Sequence, residues 1–288
     1  MSIILKNDQL EIAMYKPGEG YTGSRFDWTG FITQVTYEGH TFCTAEQILP
    51  ERKTTYGEGL CGEFCISAAD YAELKKDDWF PKVGIGKMQK PNDESSYRVH
   101  FNYVKTTGEF KWSQDNDGVS FHALPVRVNG YAADMKKTLR LEGAVLIIDY
   151  TLANVGEKEI RVDEYAHNFM AVDGLPLSGD YNIKVPFRYN EGMVDHPDVI
   201  IKDDGFTFAR TPASTVAFSY MKSFKAVKSW ELTHAKQRVG MREIDPFEVA
   251  FSRVWCQEHV AALSFYITIA VKPGQTKQWS RRFECFTF

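Results

Sequence analysis

Residues Leu146 to Met170 read LIIDYTLANVGEKEIRVDEYAHNFM, and this stretch decides the fold. Leu146, Ile148, Tyr150 and Leu152 alternate with other residues up to a turn signal at Asn154-Val155-Gly156-Glu157. Ile160-Arg161-Val162 then leads back into a second extended run. The alternation predicts two antiparallel strands joined as a hairpin. Strand side chains alternate between faces, so Asp163, Tyr165, His167 and Phe169 share one face of the second strand. A core strand buries aliphatic residues there. This one carries a carboxylate, a phenol, an imidazole and a ring, a lining suited to a sugar-binding cleft. His167 is the leading candidate for chemistry, with a hydrogen-bonded core histidine as the structural alternative.

The same style extends along the chain. Phe31 to Tyr37 precedes a turn at Glu38-Gly39-His40, and Tyr97 to Val104, Gly118 to Pro125, Thr215 to Tyr220 and Leu263 to Val271 also read as strands. Helical periodicity is confined to two short stretches, Thr44 to Leu49 and Ser67 to Leu74. Neither a linker nor a fixed-period repeat divides the 288 residues. The expectation is one all-β domain over residues 1–288, an antiparallel sandwich of two stacked sheets.

A composition of 43% hydrophobic and 14% aromatic residues supports a large core, and a net charge of -4 gives no footprint for nucleic acid. The basic pairs Lys136-Lys137 and Arg281-Arg282 are read as decoration of solvated strand edges. The apolar run near the N-terminus is too short for a signal peptide, and Gly143 to Ile148 is too short to span a membrane. A cytoplasmic location is expected. Five cysteines without an export signal point to free thiols. Cys61 and Cys65 lack the further ligands of a zinc set. The seven histidines include no HExxH, so no metal is expected. His100, His122 and His259 are placed on strands. Gly84-Ile85-Gly86 is only a GxG and gives no dinucleotide or phosphate loop, so no cofactor is expected, and no GxSxG marks a serine hydrolase.

Four segments carry the remaining candidate chemistry. In Arg25-Phe26-Asp27-Trp28, Arg25 suits sugar hydroxyls and Trp28 suits stacking on a pyranose; the structural alternative pairs Arg25 with Asp27 and packs Trp28 under a sheet edge. Glu63, in the Gly-rich stretch from Gly57 to Phe64, reads either as a base or as an exposed connection residue. Lys87 reads as a contact to an anionic or hydroxyl-rich ligand, or as a solvated lysine. In Trp230-Glu231-Leu232-Thr233-His234, strand parity separates Glu231 from His234.

Arg25 to Gly30, Gly62-Glu63-Phe64, Lys82 to Gly86, Tyr165 to Phe169 and Val271 to Trp279 together, in this order, resemble the galactose mutarotase-like (aldose 1-epimerase) superfamily, in its short bacterial form. The resemblance implies a β-supersandwich that binds a sugar in an open cleft on one sheet. It implies that His167 protonates the ring oxygen while a glutamate takes the anomeric proton. Its usual glutamate loop is absent before Pro273-Gly274, so that carboxylate falls to Glu63 or Glu231, with Arg25, Lys87, Trp28 and Tyr165 as ligand contacts. The expected activity is epimerisation or isomerisation of a monosaccharide or derivative. The alternatives are a carbohydrate-binding protein without catalysis, then a lyase or hydrolase on a similar sandwich. Oligomeric state is left open.

Overall fold

The computed structural model describes residues 2–51, 53–189, 193–226, 230–244 and 247–288. Among them two large sheets form, and every pairing in them is antiparallel. The first has nine strands. Its centre runs, in order, Phe31–Tyr37, Leu60–Phe64, Ile160–Met170, Val260–Val271, Phe251–Gln257 and Val216–Tyr220. The second has ten strands around Val239–Glu243, Thr276–Thr287, Val145–Asn154 and Ala133–Glu142. Their inner faces share one core, in which Ala166, Met170, Leu263 and Phe265 meet Leu146, Ile148, Leu152 and Phe283. The alternation of Leu146, Ile148, Tyr150 and Leu152 is thus the inward face of a half-buried strand. Each such aliphatic side chain contributes about 1.5–3 kcal/mol by leaving water.

The expected hairpin across residues 154–160 does not form. Val145–Asn154 pairs with Ala133–Glu142 and Thr276–Thr287, whereas Ile160–Met170 pairs with Leu60–Phe64 and Val260–Val271 in the other sheet. The chain crosses between sheets here, and it crosses again between Val260–Val271 and Thr276–Thr287. Asn154 ties the two crossings together. Its Nδ2 donates to the carbonyls of Lys158 (2.8 Å) and Val271 (2.7 Å), and its backbone exchanges hydrogen bonds with Gly274 and Gln275. Alternation reports that a segment is a strand; it carries no information on which sheet receives it.

The two basic pairs split by the same parity. Lys136 and Arg282 are exposed, but Lys137 and Arg281 are buried, because adjacent strand residues cannot both face water when one face is core. Arg281 crosses the core to the first sheet. It reaches Glu164 (2.9 Å) and the Phe265 carbonyl (3.0 Å) there, and Glu243 (2.6 Å) in its own sheet. Lys137 donates to Asp27 (2.5 Å) and to the Thr29 carbonyl (2.8 Å).

Three local expectations are also revised. Tyr97 to Val104 is irregular, because the Tyr97 and Tyr103 rings stack at 5.1 Å and join Tyr71 and Phe80 in a small separate cluster. His100 therefore lies on a loop, and His259 lies in the turn between two strands. Thr44 to Leu49 is not helical; single bridges hold the chain where the segment begins, Cys43 to Met170 and Ala45 to Glu58. The second helix does form, as Ala68–Glu73, capped by the Ser67 hydroxyl accepting from the Asp70 amide. Among the described residues no helix is long and apolar enough to cross a membrane.

Candidate functional site

In the His167 strand, Glu164 and Ala166 face the core between the sheets, so Tyr165, His167 and Phe169 face the other way. Over Phe169 lies the Tyr21 to Phe31 segment, packed as an aromatic cluster with Phe26 at its centre. That cover stops short of His167. A cavity of about 430 Å³ opens there, bordered by Arg25 and Glu46 on one side and by Arg253, Trp255 and Tyr266 on the other.

Behind Arg25 sits a buried ion network. Arg25 Nε donates to Glu63 (2.8 Å), Nη1 to Glu46 (3.3 Å) and Nη2 to the Tyr165 hydroxyl (3.0 Å). The Tyr165 hydroxyl donates in turn to Glu63. Lys82 Nζ donates to the other Glu63 oxygen (3.2 Å) and to the Phe64 carbonyl (2.6 Å). Burial alone would raise the Glu63 pKa, but Lys82 and Arg25 outweigh it and hold the carboxyl below its ordinary value. Burial likewise opposes charge on Arg25, yet the Tyr165 hydroxyl, Glu63 and Glu46 push its pKa well above the ordinary one. Three of the five guanidinium N–H groups are thus committed, and Arg25 itself lines the cavity.

His167 packs in parallel on Phe169 (4.3 Å) and meets Phe26 edge-on (6.0 Å). Its Nδ1 lies 3.5 Å from the Ser264 hydroxyl. Burial first, then the charge of Arg25 and the nearby His100, lower its pKa well below the usual 6.5. At neutral pH the imidazole is uncharged. It can accept a proton, whereas the imidazolium needed to protonate a ring oxygen directly is disfavoured. Tyr266 is sandwiched between Tyr165 and Phe251, both at 4.1 Å, so its ring is a rigid wall.

The structure therefore brings together four of the seven residues singled out by sequence. Arg25 and His167 line the cavity, with Glu63 and Tyr165 directly behind them, nearly excluded from solvent. The other three lie elsewhere. Glu231 sits in the second sheet, paired with Arg242 (3.4 Å) and Lys184 (3.7 Å). Lys87 lies over the Trp79 ring (4.7 Å) in a small three-stranded sheet. Trp28 is buried, stacked on Phe110 (5.9 Å) and donating from Nε1 to the Gly23 carbonyl. Arg25 does not pair with Asp27; that carboxylate is held by Lys137 and Thr29, and Glu63 is far from an exposed connection residue.

Glu46, Arg253, Trp255, Ser264 and Tyr266 escaped sequence reasoning. Glu46 accepts from the Gly57 amide (2.8 Å) as well as from Arg25, in a segment that reads as a short helix but is irregular in the structure. The others carried a signal: Ser264 and Tyr266 alternate in an otherwise apolar strand, and Arg253 and Trp255 share a parity in the next one. No group of three His, Cys, Asp or Glu side chains converges for a metal among the described residues.

No protein-family model and no curated protein matches the sequence. Solved structures do match. A protein of Synechocystis sp. PCC 6803 superposes with a TM-score of 0.60 at 11% identity, covering 100% of this chain and 96% of its own. A galactose mutarotase-like protein from Lactobacillus casei gives 0.56 at 12% identity, over 99% and 100% of the two chains. An aldose epimerase homologue from C. elegans gives 0.53 at 10% identity, over 100% and 99%. Two stacked antiparallel sheets, between which the chain passes repeatedly, and a cavity above the His167 strand make this the galactose mutarotase-like fold.

Proposed function

We propose that this chain binds a monosaccharide or a monosaccharide derivative in the His167 cavity and exchanges its anomers by proton transfer. The observation that carries this reading is the joint placement of His167, Arg25 and Glu46 around one cavity walled by Trp255 and Tyr266. The Trp255 ring suits the apolar surface of a pyranose, the stacked Tyr266 ring bounds the cavity with its edge, and the charged groups suit the sugar hydroxyls.

Opening a cyclic hemiacetal removes a proton from the anomeric hydroxyl as the bond from the anomeric carbon to the ring oxygen breaks. The neutral His167 imidazole accepts that proton. Negative charge develops on the ring oxygen, and the Arg25 guanidinium lining the cavity stabilises it. The imidazolium formed in the first step then returns its proton to that oxygen, and rotation followed by reclosure gives the other anomer. Glu63 acts through Arg25 and is a positioning residue: with two cations on it, it is a poor base. Glu46 holds the opposite side of Arg25 and accepts hydroxyl hydrogen bonds.

The test is NMR exchange between anomers over a sugar panel, with wild type and His167→Ala. Acceleration by wild type and its loss in the variant support the reading. A second reading, carbohydrate binding without catalysis, is favoured by the pairing of the Glu63 carboxylate with two cations. Binding without acceleration by wild type selects it.

A further inference from the structure

Read across the sheet rather than along the chain, the cavity floor has a second polar feature. Ser219 lies opposite Arg253 in one strand pairing, and Arg253 lies opposite Ser264 in the next. Ser264 then approaches His167 at 3.5 Å. Directly opposed residues share a face of the sheet, so a hydroxyl, a guanidinium, a second hydroxyl and the imidazole form one row, and all four line the cavity.

Arg253 differs from Arg25 in its charge balance. Among the described residues no carboxylate pairs with it. Its guanidinium instead lies over the Phe251 and Tyr266 rings, at 5.5 and 5.8 Å, which holds it in place without neutralising it. A planar cation flanked by two hydroxyl donors matches a tetrahedral or planar oxyanion, and arginine binds both in a forked geometry.

The geometry points to a subsite for an anionic substituent, phosphate or carboxylate, on the sugar that occupies this cavity, with Arg253 as its charge partner and Ser219 and Ser264 as its hydroxyl donors. This rests on the sugar-binding reading above and names the substrate class for the same site.

The experiment is calorimetric titration of wild type and Arg253→Gln with three ligands in the galacto and gluco series: the neutral hexose, its uronate and its 6-phosphate, at one fixed ionic strength. A charge-assisted contact corresponds to about a tenfold or greater preference of wild type for an anionic sugar over its neutral parent. In Arg253→Gln that ratio falls to within about twofold, while a purely structural arginine would leave it unchanged. Preference for the uronate alone, or for the 6-phosphate alone, identifies the substituent. Equal wild-type binding of all three, or a preference that survives Arg253→Gln, overturns the subsite and leaves sugar binding intact. Absence of binding by every ligand overturns the sugar reading and the subsite with it.

Discussion

Glu63→Gln separates a positioning role from a catalytic one. The substitution keeps the shape and removes the charge on which Arg25 (2.8 Å) and Lys82 (3.2 Å) converge. Both cations are largely withdrawn from water, their side chains 12% and 0% exposed. Stranding a buried charge costs about 3–5 kcal/mol. Lys82 retains the Phe64 carbonyl and Arg25 retains Glu46, so the lower end applies, about 3 kcal/mol. With a urea dependence of about 3 kcal/mol per molar, the unfolding midpoint falls by about 1 M. The sign with pH follows from the depressed carboxyl. Its stabilisation is fully present above the unfolded value near 4.5 and disappears as pH falls through the lower folded value. Glutamine does not titrate, so the wild-type and variant curves converge in acid. Urea unfolding at neutral pH and at several acidic pH values measures both effects. A loss under about 1 kcal/mol, as for a surface ion pair, or a gap that stays constant into acid, refutes the ion network as the anchor of Arg25. Loss of anomer exchange with no loss of stability would instead make Glu63 a reacting group.

In an NMR titration, the His167 ring protons show a midpoint well below 6.5, and a midpoint at or above 6.5 contradicts the desolvated, cation-flanked site. Because the folded state resists that proton, stability falls as pH drops below about 6.5, and His167→Gln flattens this part of the unfolding curve. Gly57→Ala places a Cβ 2.3 Å from the Phe169 ring and 2.6 Å from the Phe26 ring, the two rings that pack on His167. It costs about 1–3 kcal/mol in thermal or urea unfolding and weakens sugar binding by displacing those rings. Arg281→Met leaves Glu164 and Glu243 buried without their shared cation and costs about 3–5 kcal/mol, whereas Met and Leu at all three positions restores most of it. A single substitution that unfolds at the wild-type midpoint refutes a stabilising role for Arg281 between the two sheets.

How much of this was legible in the sequence depended on the direction of reading. Parity along one strand placed Tyr165, His167 and Phe169 together, on the face turned away from the core between the sheets. The same parity set Leu146, Ile148 and Leu152 on one face, and the structure buries that face in the core. It failed wherever the answer lay between strands. The two crossings at Asn154 and Gly274 look in sequence like ordinary hairpin turns, because only long-range hydrogen bonds to Asn154 distinguish them. Glu46 stands in a segment without regular structure, held by one backbone amide and one guanidinium. Lys137 and Arg281 were read as surface charges, since nothing local shows that a carboxylate waits for each across the core.

Charge across the cavity follows from the same lateral reading. Arg25 and Lys82 are balanced by Glu63 and Glu46, all four joined within a single hydrogen-bonded network. His167 adds no charge at neutral pH, because burial and Arg25 oppose its protonation. The excess positive charge is therefore that of Arg253, on the far side of His167 from the network and separated from it by Ser264. A bound oxyanion there would also favour the protonated imidazole in the same row, reversing part of the electrostatic penalty imposed by Arg25. In the proposed reaction a neutral sugar would meet an uncharged histidine, and an anionic one a histidine better able to hold the transferred proton. If the proposed subsite holds, substrate charge and proton transfer would be coupled through one row of side chains on four adjacent strands.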